Sequence, residues 1–140
     1  MMNTGATVSA ELGLSLVVPE HGAVPLVASL CYGAADPYAI RMAFHVGTED
    51  PVEWIFSRDL LSAGLAGPAG EGDVQVWPGE EHGLGVLNIA LSSPFGQAHF
   101  EAPMISIADF LNRTFGLIAA GCESDFINID SELDDLLWRA

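Results

Sequence analysis

Lysine is absent from this sequence of 140 residues, and arginine occurs only at Arg41, Arg58, Arg113 and Arg139. Against these stand 19 aspartates and glutamates, giving a formal net charge of −15. Nucleic-acid binding needs a basic face that displaces counterions, and four scattered arginines do not build one. The same imbalance opposes docking on anionic lipid headgroups. Cysteine is scarce as well. Cys31 and Cys122 have no CxxC partner, so neither a zinc site nor a disulfide framework is indicated. Cys31 falls in the apolar run 27–32 and is expected to be a small core residue. Long apolar runs are also missing. The longest charge-free stretch, residues 82–100, carries Asn88, Ser92, Ser93, Pro94, Gln97 and several glycines, which makes a poor membrane span. The start, residues 1–5, has neither the basic nor the apolar region of a secretory signal, so the cytoplasm is the expected compartment.

Catalytic grammar is sparse. Asp36, Glu53, Asp59 and Glu101 are candidates for acid–base pairing, but among 19 carboxylates a chance pairing is expected. The histidines (His21, His45, His82 and His99) show no H-x-x-x-H spacing. Glu80, Glu81 and His82 follow Pro78-Gly79 and read as a solvated turn rather than a chelate. Ser92-Ser93-Pro94 lacks the Gly-x-Ser-x-Gly elbow of a hydrolase. The glycine-rich stretch 67–72 has no following lysine and contains Glu71, which repels phosphate. Glu123 beside Cys122 is expected to dull the thiol as a nucleophile. No catalytic residue, metal or cofactor is expected.

What the chain does have is apolar patterning. Half of its residues are hydrophobic, enough for one domain with a core and some surface for another copy or a partner. Residues 7–18 alternate, with Val8, Ala10, Leu12, Leu14, Leu16 and Val18 on one face, the signature of a half-buried strand. A turn at 19–22 leads to a second strand at 24–32, which Asp36-Pro37 ends. Strands follow at 39–46 and 52–56. Ser57 caps a short helix, through Leu60, Leu61 and Leu65, that Gly67-Pro68 stops. Further strands are expected at 72–77, ended by Pro78-Gly79, then at 84–91 and 95–102. Pro103 opens a long helix with Met104, Ile107, Ala108, Leu111, Phe115 and Ile118 at helical spacing. A short acidic helix at about 130–139 closes the chain, with Leu133, Leu136 and Leu137 on one side. Arg58 beside Asp59, and Arg113, are expected to make local ion pairs at helix ends. The class is α+β: about seven antiparallel strands in a curved, barrel-like sheet packed on a long helix, in one domain spanning 1–140.

Two features suit partner binding. Trp54 and Trp77 are large aromatics near strand ends. The tail offers Leu133, Asp134, Leu136, Leu137 and Trp138, an acidic helix whose leucine stripe can enter a partner groove.

The ordered motifs carry a resemblance. Asp36-Pro37-Tyr38-Ala39 precedes Val52-Glu53-Trp54-Ile55-Phe56-Ser57-Arg58-Asp59-Leu60-Leu61. Gly72-Asp73-Val74-Gln75-Val76-Trp77-Pro78, Ala90-Leu91-Ser92-Ser93-Pro94 and Phe110-Leu111-Asn112-Arg113-Thr114 follow. Together with residues 130–137 they resemble the SsgA-like sporulation and cell division proteins of filamentous bacteria. Residues 7–12 are most similar to the SsgB-type members. The resemblance implies a non-enzymatic, cytoplasmic regulator of sporulation-specific septation, acting at the septum. It implies that FtsZ and an SsgA-type paralogue are partners, that the chain is a homotrimer, and that the fold is similar to Whirly-type single-stranded nucleic-acid binders. The acidic charge argues against that last activity, so fold without function is expected there. A small-ligand protein is the remaining alternative.

Overall fold

The computed structural model describes residues 6–45, 50–70 and 72–124. The chain runs through β1 (Thr7–Val18), β2 (Gly22–Gly33), β3 (Asp36–His45), β4 (Val52–Ser57), α1 (Arg58–Ala66), β5 (Val74–Glu81), β6 (Leu84–Ser93), β7 (Gly96–Pro103) and α2 (Met104–Leu117). The seven strands form one antiparallel sheet in the order β4-β3-β2-β1-β7-β6-β5. Two meanders, β1 to β4 and β5 to β7, are joined where β1 meets β7. The α+β class, the strand number and the antiparallel pairing expected from the sequence are what the fold shows.

The sheet is strongly coiled, and two observations require it. Phe44 on β3 and Phe100 on β7 stack with ring centroids 4.2 Å apart. Two strands, β2 and β1, lie between them. In a flat sheet three inter-strand steps would hold them about 14 Å apart. The edge strands β4 and β5 also both pack against α1, a helix of nine residues. Such a helix is about 13 Å long, whereas the ends of a flat seven-stranded sheet lie about 29 Å apart. Both helices therefore pack inside the curve, α1 against β3, β4 and β5, and α2 against β1, β6 and β7.

Alternation sorts each strand. Leu12 and Leu14 of β1, Ala28, Leu30 and Tyr32 of β2, and Ile40, Met42 and Phe44 of β3 point into one core with Leu87, Ile89, Phe100, Ile107 and Phe110. Cys31 lies between two inward residues and so faces outward; it is exposed, not the core residue its apolar run suggested. The second break is displaced too. Ala34 and Ala35 make the β2–β3 turn, and Pro37 sits in the first residues of β3, where a missing N–H costs little.

The largest revision concerns β5. It does not stop at Pro78-Gly79 but continues to Glu81, and the chain reverses at His82 and Gly83, whose φ angles are 52° and 78°. The reason is the edge. Val76 exchanges both backbone hydrogen bonds with Ala69 at 2.8 and 2.9 Å, on the side of β5 away from β6. Pro78, two residues on, turns its nitrogen to that same outer side, so no ladder bond is lost. Ser57 caps α1 as expected, its Oγ accepting from the Leu60 N–H at 3.3 Å.

Gly64 sets how closely α1 approaches β5. A Cβ there would lie 2.5 Å from Val76 Cγ2 and 3.2 Å from Leu87 Cδ1. Alanine favours a helix over glycine by about 1 kcal/mol, whereas overpacking costs about 1–3 kcal/mol. Gly64→Ala is therefore expected to lower the urea midpoint. A midpoint equal to or above wild type would show that α1 can slide on β5.

Candidate functional site

The inward alternation of β4 does not end with the strand. Trp54 and Phe56 point inward, and Arg58 continues the series as the first residue of α1, 0% exposed. Its guanidinium has three kinds of partner: carbonyls, a carboxylate and aromatic rings. Nη1 donates to the carbonyls of Ile118 at 2.7 Å and Thr114 at 3.2 Å. Nη2 donates to Glu123 Oε2 at 2.8 Å. The rings of Phe115 and Tyr32 lie 4.3 and 4.9 Å from its central carbon. Nε alone has no hydrogen-bond partner among the described residues. The local surface pair with Asp59 expected from sequence is thus replaced by a buried pair across 65 positions of chain. Arg113 is exposed, and no ion pair among the described residues includes it.

Hydrogen bonding from Arg58 pulls the Glu123 carboxyl below its ordinary 4.5. Burial pushes the Tyr32 phenol above its ordinary 10.0, with Arg58 opposing. Its hydroxyl donates to the Pro37 carbonyl at 2.8 Å. The cluster is structural in character: every group is committed to another element of the fold.

At the opposite end of the coil, the concave face opens to solvent. A cavity of about 300 Å³ is lined by Leu16, Phe44, Trp54, Leu91 and Phe100, with Val52 and Gln97 also in its lining and, among the described residues, no charged side chain. Phe95 stands beside it at the tip of the β6–β7 hairpin and is 99% exposed. An aromatic so placed has no core to join. The sequence carried a signal for it: Ser93-Pro94-Phe95-Gly96 is a hairpin-type connection, which places Phe95 in a turn but does not by itself assign it a binding role.

Trp77 does not belong to this mouth. It lies in the middle of β5 on the outer face of the sheet, half-buried against His99 with ring centroids 5.3 Å apart. Asn88 joins them: His99 Nε2 is 2.8 Å from its Oδ1, and its amide donates to the Trp77 carbonyl at 3.4 Å. Of the sequence candidates, Trp54 lines the mouth and Trp77 faces the other way. Leu133, Asp134, Leu136, Leu137 and Trp138 lie outside the described residues. Glu80 and Glu81 end β5 and His82 begins its turn. Among the described residues no group of three or more His, Cys, Asp or Glu side chains is placed to hold a metal. Among the described residues no helix is long and apolar enough to cross a membrane.

These features define a class: a small α+β domain with one coiled antiparallel sheet, whose accessible chemistry is aromatic and apolar surface. The family described as the Streptomyces sporulation and cell division protein SsgA matches residues 26–123, and the chain belongs to it. Over 98% of its length it is 52% identical to the sporulation-specific cell division protein SsgB of Thermobifida fusca, covering 99% of that protein. It is 50% identical to SsgB of Streptomyces coelicolor, with 97% and 98% of the two chains covered. A solved SsgA-like sporulation-specific cell division protein from Thermobifida fusca superposes with a TM-score of 0.89 at 52% identity, covering 96% of this chain and 98% of that one. A structure described for SsgB mutations that correlate with longitudinal division in sporulating Streptomyces coelicolor gives 0.87 at 48% identity, covering 90% and 99%.

Removing the buried pair tests its role. Arg58→Met removes the donor to the Ile118 carbonyl and to the Glu123 carboxylate, while the Thr114 carbonyl keeps the Ile118 N–H. An unsatisfied buried group costs about 1–3 kcal/mol, more when charged, so a large loss of stability is expected, with Arg58→Lys intermediate. Glu123 has a lowered pKa in the folded state, so its contribution is complete above pH 4.5 and disappears as pH falls through the lowered value. Thermal melts of wild type and Glu123→Gln are expected to differ at pH 7 and to converge in acid. A constant difference across that range would assign the stabilisation to another group.

Proposed function

We propose that the chain serves sporulation-specific cell division as a non-catalytic adaptor, helping to recruit or position FtsZ at septation sites together with an SsgA-type paralogue. What carries the reading is kinship over nearly the full length to proteins named for sporulation-specific cell division. The structure supports the contact part of it. Phe95 and the aromatic mouth form an apolar surface without charged groups among the described residues, the composition that protein interfaces place at their centre. The adaptor works from the cytoplasm at the septum. As a homotrimer it would present several weak sites at once, and avidity rather than one tight contact would hold it on a polymer of division proteins. A single-stranded nucleic-acid role finds no support in a chain of net charge −15.

Light scattering of the purified chain, alone and with FtsZ, is the test. A trimer mass that grows with FtsZ is expected, with the growth weakened in Phe95→Ser. That variant changes a fully exposed side chain and should leave the melting temperature within about 2 °C of wild type. A monomer that gains no mass would remove the multivalent mechanism and leave an indirect role through the paralogue.

A further inference from the structure

The ladder between β1 and β7 consists of only two residue pairs, Ser15 with Glu101 and Leu16 with Phe100. Where it ends, a second groove of about 470 Å³ opens. One wall is the β1–β2 hairpin, with Gly13, Ser15 and Pro25. The other is the β5–β6 hairpin with Glu81 and Leu84, and Glu101 and Val86 line the groove between them. Its charged groups are carboxylates of one sign. Among the described residues no arginine lines it, and His82, whose ring is 3.5 Å from Glu81, is the one ionisable nitrogen base in its lining. Glu101 is half-buried and makes no ion pair among the described residues. Leu84, 72% exposed, adds apolar surface to the rim.

We infer that this groove seats an extended segment of a different protein, one in which lysine or arginine alternates with apolar residues. The inference rests on the adaptor reading and names the chemistry of a partner. Two features favour it. The carboxylates of Glu81 and Glu101 flank apolar walls, so an apolar segment gains affinity and orientation only if it also brings positive charge. This chain is badly equipped to bring that charge itself. It has no lysine, and one of its four arginines is buried. The cation therefore comes from another protein.

Gly13 provides a clean block. A Cβ there meets no atom within 4 Å, and its φ is not left-handed. Tryptophan is a favoured strand residue, so Gly13→Trp fills the groove without disturbing the fold. The experiment is a nitrogen-15 NMR titration of the full chain with a short peptide of alternating lysine and valine, and with its glutamate counterpart. Amide shifts are expected at Gly13, Ser15, Gly85 and Glu101 with the lysine peptide only, weakening as salt is raised. Affinity is expected to fall about tenfold in Gly13→Trp and in Glu101→Gln, the size expected for losing one charge-assisted hydrogen bond. Shifts spread over the whole acidic surface, or affinity unchanged by both substitutions, would overturn the groove assignment. Concentration-dependent shifts at the groove without peptide would overturn it in favour of a second copy. FtsZ measured in parallel separates the two readings. FtsZ binding that ignores Gly13→Trp leaves the adaptor and removes the groove as its site. Peptide seated in the groove with no FtsZ binding keeps the groove and removes FtsZ as the partner.

Discussion

The buried guanidinium of Arg58 is the contact on which the arrangement of elements depends. α1 is the segment that carries the chain from one edge of the sheet to the other. α2 fills the inside of the curve, and the carbonyls of its last turn lack partners within the helix. Arg58 sits at the first residue of α1 and donates to the carbonyls of Thr114 and Ile118, so it caps α2 from another element. A cation also suits the negative end of the helix dipole. Glu123 supplies the countercharge, and Phe115 and Tyr32 supply π faces. Desolvating a charge costs several kcal/mol per ion, so such a pair contributes less to net stability than to uniqueness. Only one packing of α1, α2 and the chain around Glu123 satisfies all these groups at once.

Coiling of the sheet is the second constraint, and it separates two kinds of surface. Inside, the stacked Phe44 and Phe100 close the core, and at the open end the same rings line the mouth next to Phe95. Outside, the sheet is exposed, and its chemistry differs by region. Trp77, Asn88 and His99 cover one part, and the Glu81 and Glu101 groove occupies the seam between the meanders. The first surface is apolar and uncharged. The second pairs apolar walls with carboxylates. A domain of this size thus presents two chemically distinct faces, which is the property an adaptor between unlike partners needs. Neither face requires a cofactor or a change in the core.

Strands whose buried face alternates strictly were legible in the sequence. β1 is the clearest case: Leu12 and Leu14 are buried while Glu11 and Gly13 are exposed. The Ser57 cap and the Pro103 start were legible because their causes are local, a side-chain hydrogen bond at Ser57 and the fixed φ of proline at Pro103. The helix stripe was legible only in part. Ile107, Leu111 and Ile118 are buried as expected, but Phe110 and Thr114 share that face and Ala108 does not. Cys31 was misplaced because an apolar run alone does not say which face each residue takes. Alternation between buried Leu30 and Tyr32 decides it.

By itself, the sequence determined the class, the family, and the strands and two helices of the described residues. Each follows from periodicity, ordered motifs or composition, which are properties of the chain without its folded contacts. Tertiary structure decided the rest. Pro78 is harmless within β5 only because β5 is an edge, and edges exist only once the strand order is set. Arg58 is buried only because Glu123, 65 positions away, comes to meet it. The mouth and the acidic groove appear only when the sheet coils and its two meanders part beyond β1 and β7. Partners distant in sequence and the curvature of a sheet are long-range facts, and no local pattern encodes them.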